Sequence, residues 1–210
     1  NLQKHFNFEV TEEITPRFNI APGQKILTLL SDGKKQRAGT MKWGLVPFWA
    51  KDEKIGYKMI NARAERIDEK PSFRHAFKRR RCLIVADGFY EWQKTENGKQ
   101  PYRFIMKDKK PFAFAGLWET WRKEENPLYT CTIITTKPNA VAEDIHNRMP
   151  VILHQDDYDV WLDPANDDIE HLKSLLTPYP AEQMDKYKVS DLVNSPRNDL
   201  AEVLSPLNSL

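Results

Sequence analysis

The stretch Cys82-Leu-Ile-Val-Ala-Asp-Gly-Phe-Tyr-Glu-Trp-Gln-Lys-Thr-Glu-Asn-Gly-Lys-Gln-Pro-Tyr-Arg-Phe-Ile-Met106 decides the fold class. Cys82 to Ala86 is a continuous apolar run of strand length, and Pro101 to Met106 is a second strand-like run. Between them, Asn97-Gly98 is a strong hairpin signal, because both residues tolerate positive φ. Hairpin signals of this kind make the expected layout mainly antiparallel. Further runs rich in apolar or β-branched residues follow at Phe112 to Leu117 and Tyr129 to Thr136. Two more precede, Lys25 to Leu30 and Arg37 to Trp43, and Asp32-Gly33 sits between them as another hairpin signal.

Helical signals are fewer and mostly late. Ser72, Asn139 and Asp156 are candidate N-caps for short helices reaching Lys78, Ile145 and Leu162. Ile169, Leu172, Leu175 and Leu176 recur at helical spacing until Pro178 and Pro180. From Val189 onward the chain reads as irregular and wrapped around the body. The expected fold is α+β: one domain over residues 1–210, mainly antiparallel β in barrel-like curved sheets, with a few peripheral helices. No repeat, low-complexity tract or linker divides it.

Composition narrows the class. The 210 residues are 40% hydrophobic and 30% charged, as in globular chains rather than disordered ones. The longest apolar stretch, Pro111 to Trp118, falls well short of the ~18 residues that span a membrane. Arg74 and Lys78 to Arg81 form a basic segment and Asp156 to Asp168 an acidic one, yet the net charge is only +2. A basic run by itself reads as a solvated face. Cys82 and Cys131 belong to no C-x-x-C pair or Cys/His cluster, so reduced thiols, a cytoplasmic setting and no metal are expected. The first residues carry no apolar signal-peptide core, and the chain does not begin with Met.

Three polar words stand out against this apolar background: Asn61-Ala-Arg-Ala-Glu65, Gly88-Phe-Tyr-Glu-Trp92 and His146-Asn-Arg-Met-Pro150. Glu91 has two readings. Desolvated between Tyr90 and Trp92, it is a carboxyl able to exchange protons near neutral pH; alternatively it is an exposed strand residue between two buried ones. An imidazole such as His146 serves as acid or base, while the same position also suits a helix C-cap. Asn61 and Arg63 alternate on one side of an extended segment, suiting an amide and a guanidinium that share one ligand; a local turn with Glu65 paired to Arg63 or Arg66 is the other reading. Arg148 is a second fork for an anion.

Trp43-Gly-Leu-Val-Pro-Phe-Trp49 is either core or an apolar shelf on which unpaired bases stack. Cys82 and Cys131 lie in apolar runs where a thiol behaves as a buried hydrophobe, which leaves a Cys82/His146 peptidase dyad poorly supported. His5, His75, His154 and His171 lack comparable company.

Eight ordered words carry a resemblance: Arg17-Phe-Asn-Ile-Ala-Pro-Gly-Gln24, Trp43-Gly-Leu-Val-Pro47, Asn61 to Glu65, Arg81-Cys82, Ala86-Asp-Gly-Phe-Tyr-Glu-Trp92, Ala115-Gly-Leu-Trp118, His146 to Pro150 and Trp161-Leu-Asp-Pro164, with a late Val193-Asn194 pair. In this order they resemble the SOS response-associated peptidase family, also called abasic site processing proteins, over nearly the whole chain. The resemblance implies single-stranded DNA carrying abasic sites as partner, no cofactor, a monomer, and a nucleoid-associated location. It implies covalent capture of the abasic sugar by an N-terminal cysteine, in a Met-Cys-Gly-Arg-Phe word that this sequence lacks. By similarity, Glu91 moves protons at the imine, His146 assists sugar opening and crosslink reversal, and Asn61 orients the cysteine or sugar. Arg63 and Arg148 hold flanking phosphates, and Trp92 with Trp43 and Trp49 offers stacking surfaces. Self-processing as a thiol peptidase, a lyase-type activity, and a non-catalytic DNA-binding shield are the further readings. The reactive residue is expected ahead of Asn1, so that the 210 residues alone bind without crosslinking.

Overall fold

The computed structural model describes residues 2–10, 12–123 and 125–207. A short helix, α1 (Leu2–Phe6), leads into β1 (Glu9–Val10) and then the hairpin β2 (Lys25–Ser31) and β3 (Gln36–Trp43). Asp32 builds the hairpin turn: its Oδ1 accepts from the Lys34 and Lys35 N–H groups at 2.9 Å each. A short edge strand β4 (Asn61–Arg63) and helix α2 (Arg74–Arg79) precede β5 (Arg81–Ala86). Next come β6 (Phe89–Thr95), β7 (Gly98–Met106), β8 (Phe112–Lys123) and β9 (Asn126–Thr136). The chain ends with β10 (Met149–Pro150), α3 (Tyr158–Leu162), α4 (Ile169–Ser174) and β11 (Met184–Lys188).

Five of these strands close on themselves. β3 pairs with β2, β2 with β5, β5 with β8 and β8 with β9, all antiparallel. β9 returns to β3 through a parallel contact that sets Lys42 opposite Thr130 and Trp43 opposite Cys131. Closure removes the central edges, and β1, β4 and β10 pair at the remaining rim. β6, β7 and β11 form a separate antiparallel sheet.

β5 is buried on both faces, which explains its unbroken apolar run. Leu83 and Val85 join a core with Leu117, Ile134, Phe77 and Trp161, while Cys82 and Ile84 join another with Phe114, Ile133, Phe104 and Met106. The second core carries the three-stranded sheet onto the barrel, with Phe89 stacked on Phe104 at 4.9 Å. Arg81 anchors the first. Its guanidinium donates to the carbonyls of Phe77, Lys78, Trp161, Asp163 and Asn166, tying α2 and the end of α3 to β5. Burial lowers its pKa to about 10, and the carbonyls compensate the buried charge.

The α+β architecture and barrel-like sheets agree with expectation, and all six expected strands form. Three local expectations need correction. Asn139 does cap, its Oδ1 accepting from Val141 and Ala142 N–H, yet no helix follows, only turns. The carbonyls of Val141 and Asp144 are instead taken by the side chains of Lys186 and Gln93. Ser72 and Asp156 do not cap α2 and α3, whose N-terminal flanks are Phe73 and Asp157, without side-chain capping bonds. β11 and α1 had no clear sequence signal; β11 is a polar edge strand in which only Met184 is buried.

Candidate active site

β6 sorts its side chains by alternation. Tyr90 and Trp92 turn one way: the Tyr90 hydroxyl donates to the Phe18 carbonyl at 2.7 Å, and Trp92 Nε1 donates to Asn194 Oδ1 at 2.6 Å. Glu91 and Gln93 turn the other way, onto the segment carrying His146, where Gln93 Nε2 donates to the Asp144 carbonyl at 2.9 Å. Gly88, just ahead of this strand, leaves space for the Arg103 guanidinium, since a Cβ there would lie 2.8 Å from Arg103 Nε.

Glu91 Oε1 stands 4.0 Å from His146 Nε2. That gap is too long for a direct hydrogen bond. An oxygen at ~2.8 Å from both atoms would sit about 2 Å to the side of the line joining them. Burial raises the Glu91 pKa above the ordinary carboxylate value, opposed by His146, by the Trp92 N–H and by Lys99. The Arg148 N–H approaches His146 Nδ1 at 3.1 Å, and since a peptide N–H only donates, Nδ1 accepts from it in one of the two neutral tautomers. Nε2 then carries the proton on the side of Glu91. The Arg148 carbonyl, 3.2 Å from Nδ1, accepts instead whenever Nδ1 carries the proton.

The segment before His146 is clamped from outside. Lys186 pairs with Asp144, donates to the Val141 carbonyl at 2.8 Å and lies over the Tyr102 ring. Asn139 Nδ2 donates to the Tyr179 carbonyl at 2.7 Å. Sequence reading missed Gln93 and Lys186, and no local signal identifies them, since their targets are main-chain carbonyls distant in sequence.

Asn61 and Arg63 sit on β4, parallel to the end of β9, with Asn61 opposite Ile133 and Arg63 opposite Thr135. Both are exposed, and among the described residues neither side chain makes a hydrogen bond or ion pair. Arg148 differs. Its guanidinium forks onto Glu65 at 2.7 and 2.9 Å and donates to the Thr135 carbonyl at 2.8 Å. Glu65 pairs with neither Arg63 nor Arg66; Arg66 is bonded to Glu69. The Arg148 hydrogen bond, together with the Arg148 and Arg63 charges, holds the Glu65 carboxyl below its ordinary range.

The tryptophans also divide. Trp43 is half-buried against the second core, and its Nε1 donates to the Ile60 carbonyl at 2.9 Å, so it braces the chain ahead of β4. Trp49 and Phe48 are each 49% exposed and Tyr57 is 66% exposed. Their segment is pinned by Trp121 Nε1 on the Ala50 carbonyl and by the crossing of Gly44 with Gly56, where a Gly44 Cβ would lie 2.6 Å from the Gly56 oxygen. Both cysteines are fully enclosed. Burial raises the Cys82 thiol well above its ordinary pKa and pushes Cys131 up to about 12, the reverse of what a nucleophile needs. Among the described residues, no group of three or more His, Cys, Asp or Glu is placed to hold a metal, and no helix is long and apolar enough to cross a membrane.

Known proteins align with this arrangement over most of its length. A Bacillus subtilis protein named abasic site processing protein YoqW is 56% identical over 194 residues, covering 91% of this chain and 87% of its own. The chicken abasic site processing protein HMCES is 35% identical, covering 91% of this chain and 66% of its own. A crystal structure of a Bacteroides thetaiotaomicron protein superposes with a TM-score of 0.79 at 33% identity, covering 88% of this chain and 82% of that one. The sequence profile of SOS response associated peptidase (SRAP) matches residues 1–196, and the chain belongs to that family.

Proposed function

We propose that this protein processes abasic sites in single-stranded DNA by covalent capture, with Asn61, Glu91 and His146 forming the site that receives a terminal cysteine and the opened sugar. The observation that carries this reading is the open Glu91–His146 pair, a half-buried carboxyl and an imidazole spaced for a third group. The names of the Bacillus and chicken relatives support the substrate class.

The chemistry follows from the aldehyde of an opened abasic sugar. A terminal α-amine adds to it, the carbinolamine loses water to give an imine, and the neighbouring thiol closes a thiazolidine ring on the same carbon. Glu91, with its raised pKa, protonates the departing hydroxyl and recovers the proton afterwards. His146 delivers a proton to the sugar oxygen during opening and assists reversal. Asn61, whose amide is free among the described residues, orients the amine or sugar. Arg63 holds a flanking phosphate, which positions DNA without reading its sequence. Arg148 contributes positive field from its place on Glu65. Trp49 and Trp92 offer faces to flanking bases, and Trp43 braces the chain ahead of Asn61 through the Ile60 carbonyl.

The 210 residues hold no Met-Cys-Gly-Arg-Phe word, and Cys82 and Cys131 are enclosed. The thiol is therefore assigned to the family's N-terminal cysteine, and the peptidase name to self-processing that frees its amine. The protein acts as a monomer, without metal. The test uses a chain carrying that word, incubated with a single-stranded oligonucleotide holding one abasic site. A denaturant-resistant adduct is expected, abolished by Cys→Ser in the word and unaffected by Cys82→Ala with Cys131→Ala. Adduct formation that survives the first change and is lost with the second overturns the assignment.

A further inference from the structure

Glu65 is exposed and lies outside the Glu91–His146 pair, yet it joins the two walls of the site. It follows β4, the strand that presents Asn61 and Arg63. Its main chain is fixed from behind: Lys173 of α4 donates to the Glu65 carbonyl at 3.3 Å and to Asp68 at 2.9 Å. From that anchored base the carboxylate takes both terminal nitrogens of Arg148, at 2.7 and 2.9 Å. A two-point fork fixes the plane of the guanidinium as well as its position. Thr135, directly opposite Arg63 in the β4–β9 register, closes the same grip through its carbonyl. Arg148 in turn presents the N–H that faces His146 Nδ1 at 3.1 Å.

We propose that Glu65 is a positioning residue that acts through Arg148 to hold His146 in the tautomer with its proton on Nε2, facing Glu91. The series Lys173, Glu65, Arg148, His146 runs from α4 to the reacting pair through hydrogen bonds to the main chain and carboxylate of Glu65 and from the guanidinium and main-chain N–H of Arg148. Without the carboxylate, Arg148 keeps only its contacts to Thr135, and the segment bearing His146 loses its brace to β4. Nδ1 then exchanges between accepting from the Arg148 N–H and donating to the Arg148 carbonyl. The proton leaves Nε2 for part of the time, and the imidazole serves Glu91 less well.

The inference rests on the proposed function only for its kinetic consequence. Its direct test is spectroscopic and needs no DNA: ¹⁵N shifts of the His146 ring in the folded protein. Wild type is expected to show an acceptor-type Nδ1 and a protonated Nε2. Glu65→Ala is expected to move both shifts toward tautomer averaging, and Glu65→Asp to restore most of the difference. In a chain with the N-terminal cysteine word, Glu65→Ala slows adduct formation on the order of 10-fold through misplacement of the imidazole, and Glu65→Asp recovers most of the rate. Wild-type shifts in Glu65→Ala, or an Asp variant no better than Ala, overturn the inference. If wild type itself forms no adduct, the functional reading fails, while the ring shifts still decide the role of Glu65.

Discussion

Arg81 and Arg63 both belong to words that identify the family, yet the two regions they occupy are built on opposite rules. Arg81 is 3% exposed and gives its donors to five main-chain carbonyls, those of Phe77, Lys78, Trp161, Asp163 and Asn166. Arg63 is exposed on a rim strand and makes no hydrogen bond among the described residues. A buried charge is tolerated only when its hydrogen-bonding capacity is met, so a filled guanidinium marks scaffold. An open one on a fixed strand is available to a ligand. Two carboxylates repeat the contrast. Glu119 is 2% exposed and bonded to Arg80 at 2.7 Å, whereas Glu91 faces His146 across 4.0 Å without a direct hydrogen bond.

Removing the two arginines should separate these rules most sharply. Arg81→Ala leaves buried carbonyls unpaired and should cost about 3–5 kcal/mol, with a Tm loss on the order of 10 °C in a thermal melt. Arg63→Ala should leave the melt within about 1 °C of wild type. It should weaken single-stranded DNA binding several-fold on any sequence and reduce the slope of log K against log salt by about 0.7. A destabilised Arg63 variant, or one with an unchanged salt slope, would erase the distinction between the two regions.

Much of the barrel was legible because its strands are buried on one or both faces and bounded by turn chemistry. Cys82 to Ala86 could hardly be anything else, and Asp32-Gly33 marked its hairpin correctly. Asn139 shows where such reading fails: the cap signal is real, but Lys186 and Gln93 take the carbonyls that a helix would have used. The site was legible as a set of residue types and illegible as a set of partnerships. Glu91 and His146 do face one another, while Arg148, read as a fork for a phosphate, is closed onto Glu65. Trp43 and Trp49 look equivalent in sequence; only the Ile60 carbonyl distinguishes the brace from the exposed ring. Such distinctions depend on chain segments that meet only in the folded protein.

A smaller effect sharpens the comparison of the carboxylates. Because the folded-state pKa of Glu91 is raised, the native protein holds that proton more tightly than the unfolded chain. Its contribution to stability therefore falls as pH rises from the ordinary value of 4.5 through the raised one. Glu91→Gln removes this penalty and should raise Tm by about 1–2 °C near pH 8, with the gain vanishing below pH 4.5. A Tm loss at neutral pH would mean that Glu91 is scaffold, like Glu119.

The most direct test of the central claim, that Glu91 belongs to an open reacting pair, is the single-turnover rate of adduct formation by Glu91→Gln. The measurement uses a chain bearing the N-terminal cysteine word and is read beside the affinity for single-stranded DNA. The account predicts a rate lower by about 10² or more, as for loss of a general acid–base group, with DNA affinity within about twofold of wild type. A rate equal to wild type, or a loss of rate matched by an equal loss of affinity, would contradict it.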